Sequence, residues 1–227
     1  MIDKKEDLIF LQDTLSFWKD ITDAQKNSLR QVISKKHFNV GEFMHGNSEN
    51  CSGLFLIKTG QVRAYIVSES GKEITLYRLF DRDVCIFSAS CMMKNISFDI
   101  YIEVEKETHA YLIPTSTFNK LSMESIPIQT FTNNLMASRF TDVMWIMEQA
   151  LFMSFDKRLA TFLIEQSNIE EADLLDITHE KIANHLGTAR EVVTRMLKYF
   201  QNEGMVRLSR GTIQIVDRNG LEELSER

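Results

Sequence analysis

Apolar positions recur along this chain in three successive rhythms. Up to about residue 30 they come at helical spacing, with Leu8, Leu11, Leu15 and Phe17–Trp18 anchoring short amphipathic pieces. Thr22 or Asp23 can cap the helix that runs through "AQKNSLRQVI". From Ser34 to Pro114 the rhythm becomes strand-like: "GLFLIKTG", "QVRAYIVSESG", "EITLYRLF", "FDIYIEVE" and "THAYLIP" follow one another between glycines and polar turns. "SESGKE" predicts a hairpin turn between two alternating runs. Short strands at this spacing predict an antiparallel barrel or roll.

Beyond Pro114 the helical rhythm returns. "PTSTFNKL" starts a short helix, and the stretch from Ile128 to Phe152 has neither Gly nor Pro. Its apolar residues Ile128, Phe131, Leu135, Val143, Ile146 and Ala150, with Met136, Phe140, Met144 and Met147, cover more than one face. Such a helix packs on its own domain with one side and on a partner with the other. The near-heptad recurrence predicts a coiled-coil homodimer, a buried helix in a monomer being the alternative. "SFDKRLATFLIEQSN" predicts another helix from near Ser154, followed by an acidic loop.

The last third carries the most specific pattern. In "ITHEKIANHLGTAREVVTRMLKYFQNEGMVRLSRGTIQIVD", Thr178 caps a helix of about two turns that buries Ile182, Ala183 and Leu186. Gly187 ends it in the left-handed conformation. A second helix runs from about Ala189 to Asn202, Gly204 stops it, and a hairpin follows with its turn at Arg210–Gly211. Helix, glycine turn, helix and β-wing describe a winged helix-turn-helix, whose second helix enters the major groove of DNA. Arg190, Glu191 and Arg195 then form a charged edge on a helix that packs through Val192, Val193 and Met196. Arginine can grip guanine O6 and N7 together, and glutamate can accept from the cytosine amino group. An exposed helix with an ordinary surface ion pair is the plainer alternative.

Charge sharpens this picture. The chain has 227 residues and a net charge of −6, which by itself disfavours a polyanionic partner. Between Lys181 and Arg210, however, six basic residues face only Glu191 and Glu203, just after an acidic run from Glu165 to Glu180. A basic face on an acidic chain points to an oriented polyanion contact. No apolar run approaches the ~18 residues of a membrane span, and "MIDKKEDLIF" lacks a secretory layout, so a cytoplasmic protein with no membrane partner is expected. Three cysteines, Cys51, Cys85 and Cys91, do not make a disulfide framework. The rival class is an enzyme or ligand-binding β-roll protein, but there is no HExxH, P-loop or nucleophile triad spacing to support chemistry.

The stretch "ITHEKIANHLGTAREVVTRMLKYFQNEGMV" resembles the DNA-binding domain of the catabolite-activator/FNR (CRP/FNR) superfamily of bacterial transcription regulators, and the resemblance extends over nearly the whole chain. It implies an α+β fold: a cyclic-nucleotide-binding-like β-roll sensor over 1–123, a dimerisation helix over 124–153 and a winged helix-turn-helix over 154–227. It implies a dimeric regulator that binds double-stranded DNA at a palindrome with TGTGA-like half-sites and works with RNA polymerase. The family's base-reading residues fall on Arg190, Glu191 and Arg195, and phosphate contacts on Thr178, Thr188, Thr194 and Lys198. Ala189 departs from the pattern, standing where the catabolite activator has a phosphate-touching serine.

The roll departs further. Nucleotide-binding members carry a glycine-rich cassette with an arginine for the cyclic phosphate. The corresponding "DVCIFSASCMMKNISFDIYIEVE" has neither glycine nor arginine, and Lys94 is its one basic residue. A cyclic nucleotide would keep an uncompensated buried charge. No cofactor is expected. An iron–sulfur cluster needs more cysteines, and Phe87 stands where the carbon-monoxide-sensing member has its haem histidine. The alternatives are a haem gas sensor, for which His37, His45 and His109 are available although lone histidines are usually plain surface or core residues, and a thiol switch at Cys85 and Cys91. The expected effector is a small molecule in an apolar pocket formed by Tyr77, Cys85, Phe87, Ser88, Cys91, Met136 and Phe140.

Overall fold

The computed structural model describes residues 5–45, 53–86 and 99–226. The chain divides into two compact units, one of residues 1–66 and 76–143, the other of residues 67–75 and 144–227. This division falls inside the long helix, between Val143 and Met144. The tip of one hairpin is grouped with the C-terminal residues.

The first unit opens with helix α1 (Lys5–Thr14), a short 3-10 turn (Ser16–Lys19) and α2 (Asp23–Val32). Thr22 caps α2 in a full capping box: its side chain accepts from the Gln25 N–H, and Gln25 reaches back to the Thr22 N–H. The roll follows as β1 (Ser34–Phe38), β2 (Phe43–His45), β3 (Gly53–Val67), β4 (Glu73–Leu79), β5 (Val84–Cys85) and β6 (Tyr101–Pro114). These form one antiparallel sheet in the order β1-β6-β3-β4, with β2 on β6 and β5 on β3.

Four of the strand-like runs join in pairs. "GLFLIKTG" and "QVRAYIV" are one strand, β3, and "YIEVE" and "THAYLIP" are one strand, β6. The reason lies at Gly60, whose φ of +116° no ordinary residue holds comfortably. The β3–β6 register slips between Ile57 and Val62, so the roll interior receives Phe55 and Ile57 before the bulge but Val62 and Ala64 after it. The irregular register reverses which face each β3 side chain takes. A side chain at Gly60 would strike the Glu107 carbonyl oxygen at 2.6 Å.

Both faces of β3 are buried near its start, because each meets a different core. Leu54 and Leu56 pack with Leu11, Leu15, Phe17 and Trp18 of the N-terminal helices. Phe55 and Ile57 face Leu76, Leu79, Ile102 and Val104 inside the roll. Asp7 of α1 is only 2% exposed. Its carboxylate accepts from the Tyr111 hydroxyl at 2.5 Å and from Lys35 at 2.8 Å. Burial pushes the Asp7 carboxyl up, but the bonds from Lys35 and Tyr111 outweigh it and hold the group below its ordinary value.

After the roll come α3 (Thr115–Glu124) and α4 (Ile126–Phe152). Helix α4 starts two residues before Ile128 because Pro127 sits in its first turn, where its missing N–H costs nothing. Ile128 is fully buried, and Phe131, Leu135 and Met136 pack on the core of the N-terminal helices.

The second unit has its own core. It contains α5 (Phe155–Glu170), β7 (Leu174–Asp176), α6 (His179–Leu186), α7 (Arg190–Asn202), β8 (Val206–Ser209), β9 (Thr212–Ile215) and α8 (Arg218–Glu226). Leu159, Leu163, Leu175, Ile182, Val193, Leu197, Phe200, Ile213 and Leu221 close this core. The acidic stretch expected as a loop contains β7, which pairs with β9 and completes a three-stranded sheet. Leu175 is the buried residue between two exposed neighbours, a strand too short and too acidic to show in the pattern. No helix among the described residues is long and apolar enough to cross a membrane.

Candidate nucleic-acid interface

Thr178 begins the site. Its extended backbone and side chain, accepting from the Lys181 N–H at 3.2 Å, start α6. At the other end Gly187 takes φ +66°, and the N–H groups of Gly187 and Thr188 both return to the Ala183 carbonyl. The guanidinium of Arg158, from α5, donates to the Leu186 carbonyl and closes that helix end. Burial lowers the Arg158 pKa from its ordinary value. Three residues, Gly187 to Ala189, then separate α6 from α7. Ala189 caps α7 without a side-chain bond.

Helix α7 divides cleanly by face. Val193, Leu197 and Phe200 are fully buried, at positions one helical turn apart. Arg190, Glu191, Arg195 and Lys198 are exposed and, with half-buried Thr194, line one shallow groove. Val192 and Met196 are half-buried, and Met196 packs against the core without being part of it. The wing turn has Gly211 at φ +81°. Its Arg210 lines a second groove together with Thr178, His179 and Arg190. The structure thus brings Thr178 beside Arg190, and Arg190 beside Glu191, Thr194, Arg195 and Lys198. Thr188 sits half-buried in the turn and lines neither groove.

His179 of this site carries no signal in the sequence pattern. The Thr194 hydroxyl donates to the Arg190 carbonyl at 2.9 Å and lies 2.9 Å from Nδ1 of His179. A hydroxyl has a single proton, and here the Arg190 carbonyl takes it. His179 must therefore donate from Nδ1, which fixes its tautomer. Burial and the nearby Arg190 charge push the His179 pKa below the usual 6.5. The pair ties the first turn of α6 to α7, and a phosphate contact from Thr194 would have to share a hydroxyl already engaged twice. Only the fold could reveal it, since the partners lie fifteen residues apart on separate helices.

In the roll, Tyr77 and Cys85 share the interior cluster, with Met136 packed against it. Burial pushes the Tyr77 phenol well above its ordinary range. Phe140 is 67% exposed and stands apart from them. Phe87, Ser88 and Cys91 lie outside the described residues. Arginines that the stretch 83–105 lacks arrive from other elements. Arg78 lies 3.2 Å from Glu105, both nearly buried, and Arg63 lies 3.6 Å from Glu103. Arg139 of α4 stacks over the Tyr77 ring at 4.7 Å and bonds Asp142 at 2.7 Å. Each of these cations is already matched to a carboxylate.

A capped helix, a left-handed glycine turn, a second helix with an exposed Arg-Glu edge and a β-wing define a winged helix-turn-helix DNA-binding protein. Residues 157–224 match the Crp-like helix-turn-helix domain. Over 95% of its length the chain is 48% identical to all of a solved protein assigned as a transcriptional regulator of the CRP/FNR family from Eubacterium rectale, with a TM-score of 0.92. It is 26% identical over 214 residues to the anaerobic regulatory protein of Haemophilus influenzae, covering 90% of this chain and 82% of that one. Against the transcriptional activator anr of Pseudomonas aeruginosa the identity is 22%, covering 87% and 83%. The fold alone is shared with a CRP/FNR-family regulator of Thermus thermophilus, at 20% identity and a TM-score of 0.70 over 86% of this chain and 99% of that one. The chain belongs to the CRP/FNR family of transcription regulators.

Proposed function

We propose that the protein works as a homodimer that reads a TGTGA-like palindrome, in contact with RNA polymerase, and that a small molecule bound in the roll sets its DNA affinity. The observation that carries the DNA reading is the shared groove of Arg190, Glu191, Thr194, Arg195 and Lys198, on the side of α7 opposite its core residues. Side chains held there without core duties are free to meet base edges. Arg190 and Arg195 suit guanine, and Glu191 suits cytosine. The Thr178-capped helix end and Arg210 suit phosphates on either side.

Binding of a TGTGA inverted repeat and of a scrambled duplex, followed by fluorescence anisotropy at fixed salt, tests this. Arg195→Ala should cut the preference for the repeat by about 1–3 kcal/mol while leaving the scrambled duplex nearly unchanged. Equal weakening on both duplexes would reduce Arg195 to a phosphate contact.

Support for the dimer comes from α4. Phe140, Met144, Met147 and Leu151 are 67%, 39%, 47% and 65% exposed, and they recur at steps of four, three and four. That spacing is the one a two-stranded coiled-coil seam uses, which supports the dimer. For the effector, Tyr77, Cys85 and Met136 offer an apolar wall, and the matched arginines offer no uncommitted charge to a cyclic phosphate. An absorption spectrum of protein purified without oxygen separates the alternatives. A colourless, iron-free sample removes haem and iron–sulfur cofactors and leaves the organic effector, a thiol switch or no effector. A Soret or iron–sulfur band replaces it with a gas or redox cofactor.

A further inference from the structure

We propose that His37, Glu107 and His109 form a site for a divalent transition-metal ion on the exposed face of the roll. The placement follows from register. His37 of β1 pairs directly with His109 of β6. Glu107 precedes His109 by two residues, which puts it on the same face of β6 and diagonal to His37, within reach of a long side chain. Buried Thr108, between them, points the other way.

The side chains follow that placement. The two imidazoles stack with centroids 4.7 Å apart, and His37 Nε2 lies 2.8 Å from Glu107 Oε1. One donor atom from each residue lies within 4.8 Å of the others. Tetrahedral ligands at zinc–nitrogen distances stand about 3.3 Å apart, so the exposed side chains need to shift by only about an ångström. Two imidazoles and a carboxylate suit zinc, nickel or copper rather than magnesium or calcium. Three protein donors leave at least one position for water or another ligand.

The neighbouring charge is compatible. Lys35, next on the same face of β1, is held 2.8 Å from buried Asp7, and Lys58 lies 3.8 Å from the same carboxylate. Glu107 offsets part of the ion's charge directly. A bound ion would join edge strand β1 to β6 by coordination and stabilise the fold through linkage.

The experiment is calorimetric titration of zinc alone into full-length protein stripped of metal, with the melting temperature followed in parallel. The wild type should bind an ion that raises the melting temperature. His37→Ala and His109→Ala should each weaken that binding by more than about tenfold, since even second-shell losses cost tenfold or more. Glu107→Gln should retain weaker binding. Cobalt in place of zinc should show no thiolate charge-transfer band, which separates this site from the cysteines. Unchanged zinc affinity in the His37→Ala/His109→Ala double variant, a thiolate band, or no binding in the wild type would each overturn the proposal.

Discussion

His179 shows how much a single side chain can hold in this interface. Its Nδ1–H bond to Thr194 requires only the neutral ring, and its pKa is lowered below 6.5 by burial and by Arg190. The unfolded chain therefore takes up this proton more readily than the folded one, so stability rises with pH across the interval. The contribution is full above about pH 6.5 and declines as pH falls from there towards the lowered folded value. Melting curves between pH 5 and 8 should show this slope, and His179→Asn should flatten it, because an asparagine amide can stand in for Nδ1–H without titrating. A slope that survives in the variant would assign it to another group. Sequence pattern could find Arg190, Glu191 and Arg195, since exposure on a helix follows from spacing. It could not find His179 or Arg158, whose partners are fixed only by how α5, α6 and α7 pack.

At the scale of elements, local signals decided what was legible. Thr178 and Gly187 bound α6 where the pattern placed them, because a cap and a left-handed turn are made from neighbouring residues. Strands β3 and β6 read as two runs each, because the Gly60 bulge breaks the alternation without breaking the strand. Strand β7 was invisible, since its one buried residue depends on β9. The two glycines also differ in what they tolerate. Gly187→Ala should cost about 1–2 kcal/mol from left-handed strain, its new methyl meeting the flexible Ile74 side chain at 3.2 Å. Gly60→Ala adds a clash with fixed backbone, and should cost about 3 kcal/mol or more. Urea unfolding of the two variants measures the order, and the reverse order would mean that β3 can relax around the bulge.

For the whole molecule, the proposed α4 seam would connect assembly to DNA affinity. Phe140→Asp with Met147→Asp places charge on two of its exposed positions, and light scattering should find the variant monomeric at concentrations where the parent is a dimer. Binding to the palindrome should then fall towards that of a single half-site, since the second contact is no longer intramolecular. A dimeric variant would move the interface elsewhere. On α7 the two faces have separate duties: Val193, Leu197 and Phe200 hold the domain together, while Arg190, Glu191, Arg195 and Lys198 carry none of its core. With base reading assigned to that exposed set, as proposed, the operator sequence can drift between descendants of this protein by surface substitutions alone. A lineage can exchange the set of genes it controls without passing through an unstable ancestor.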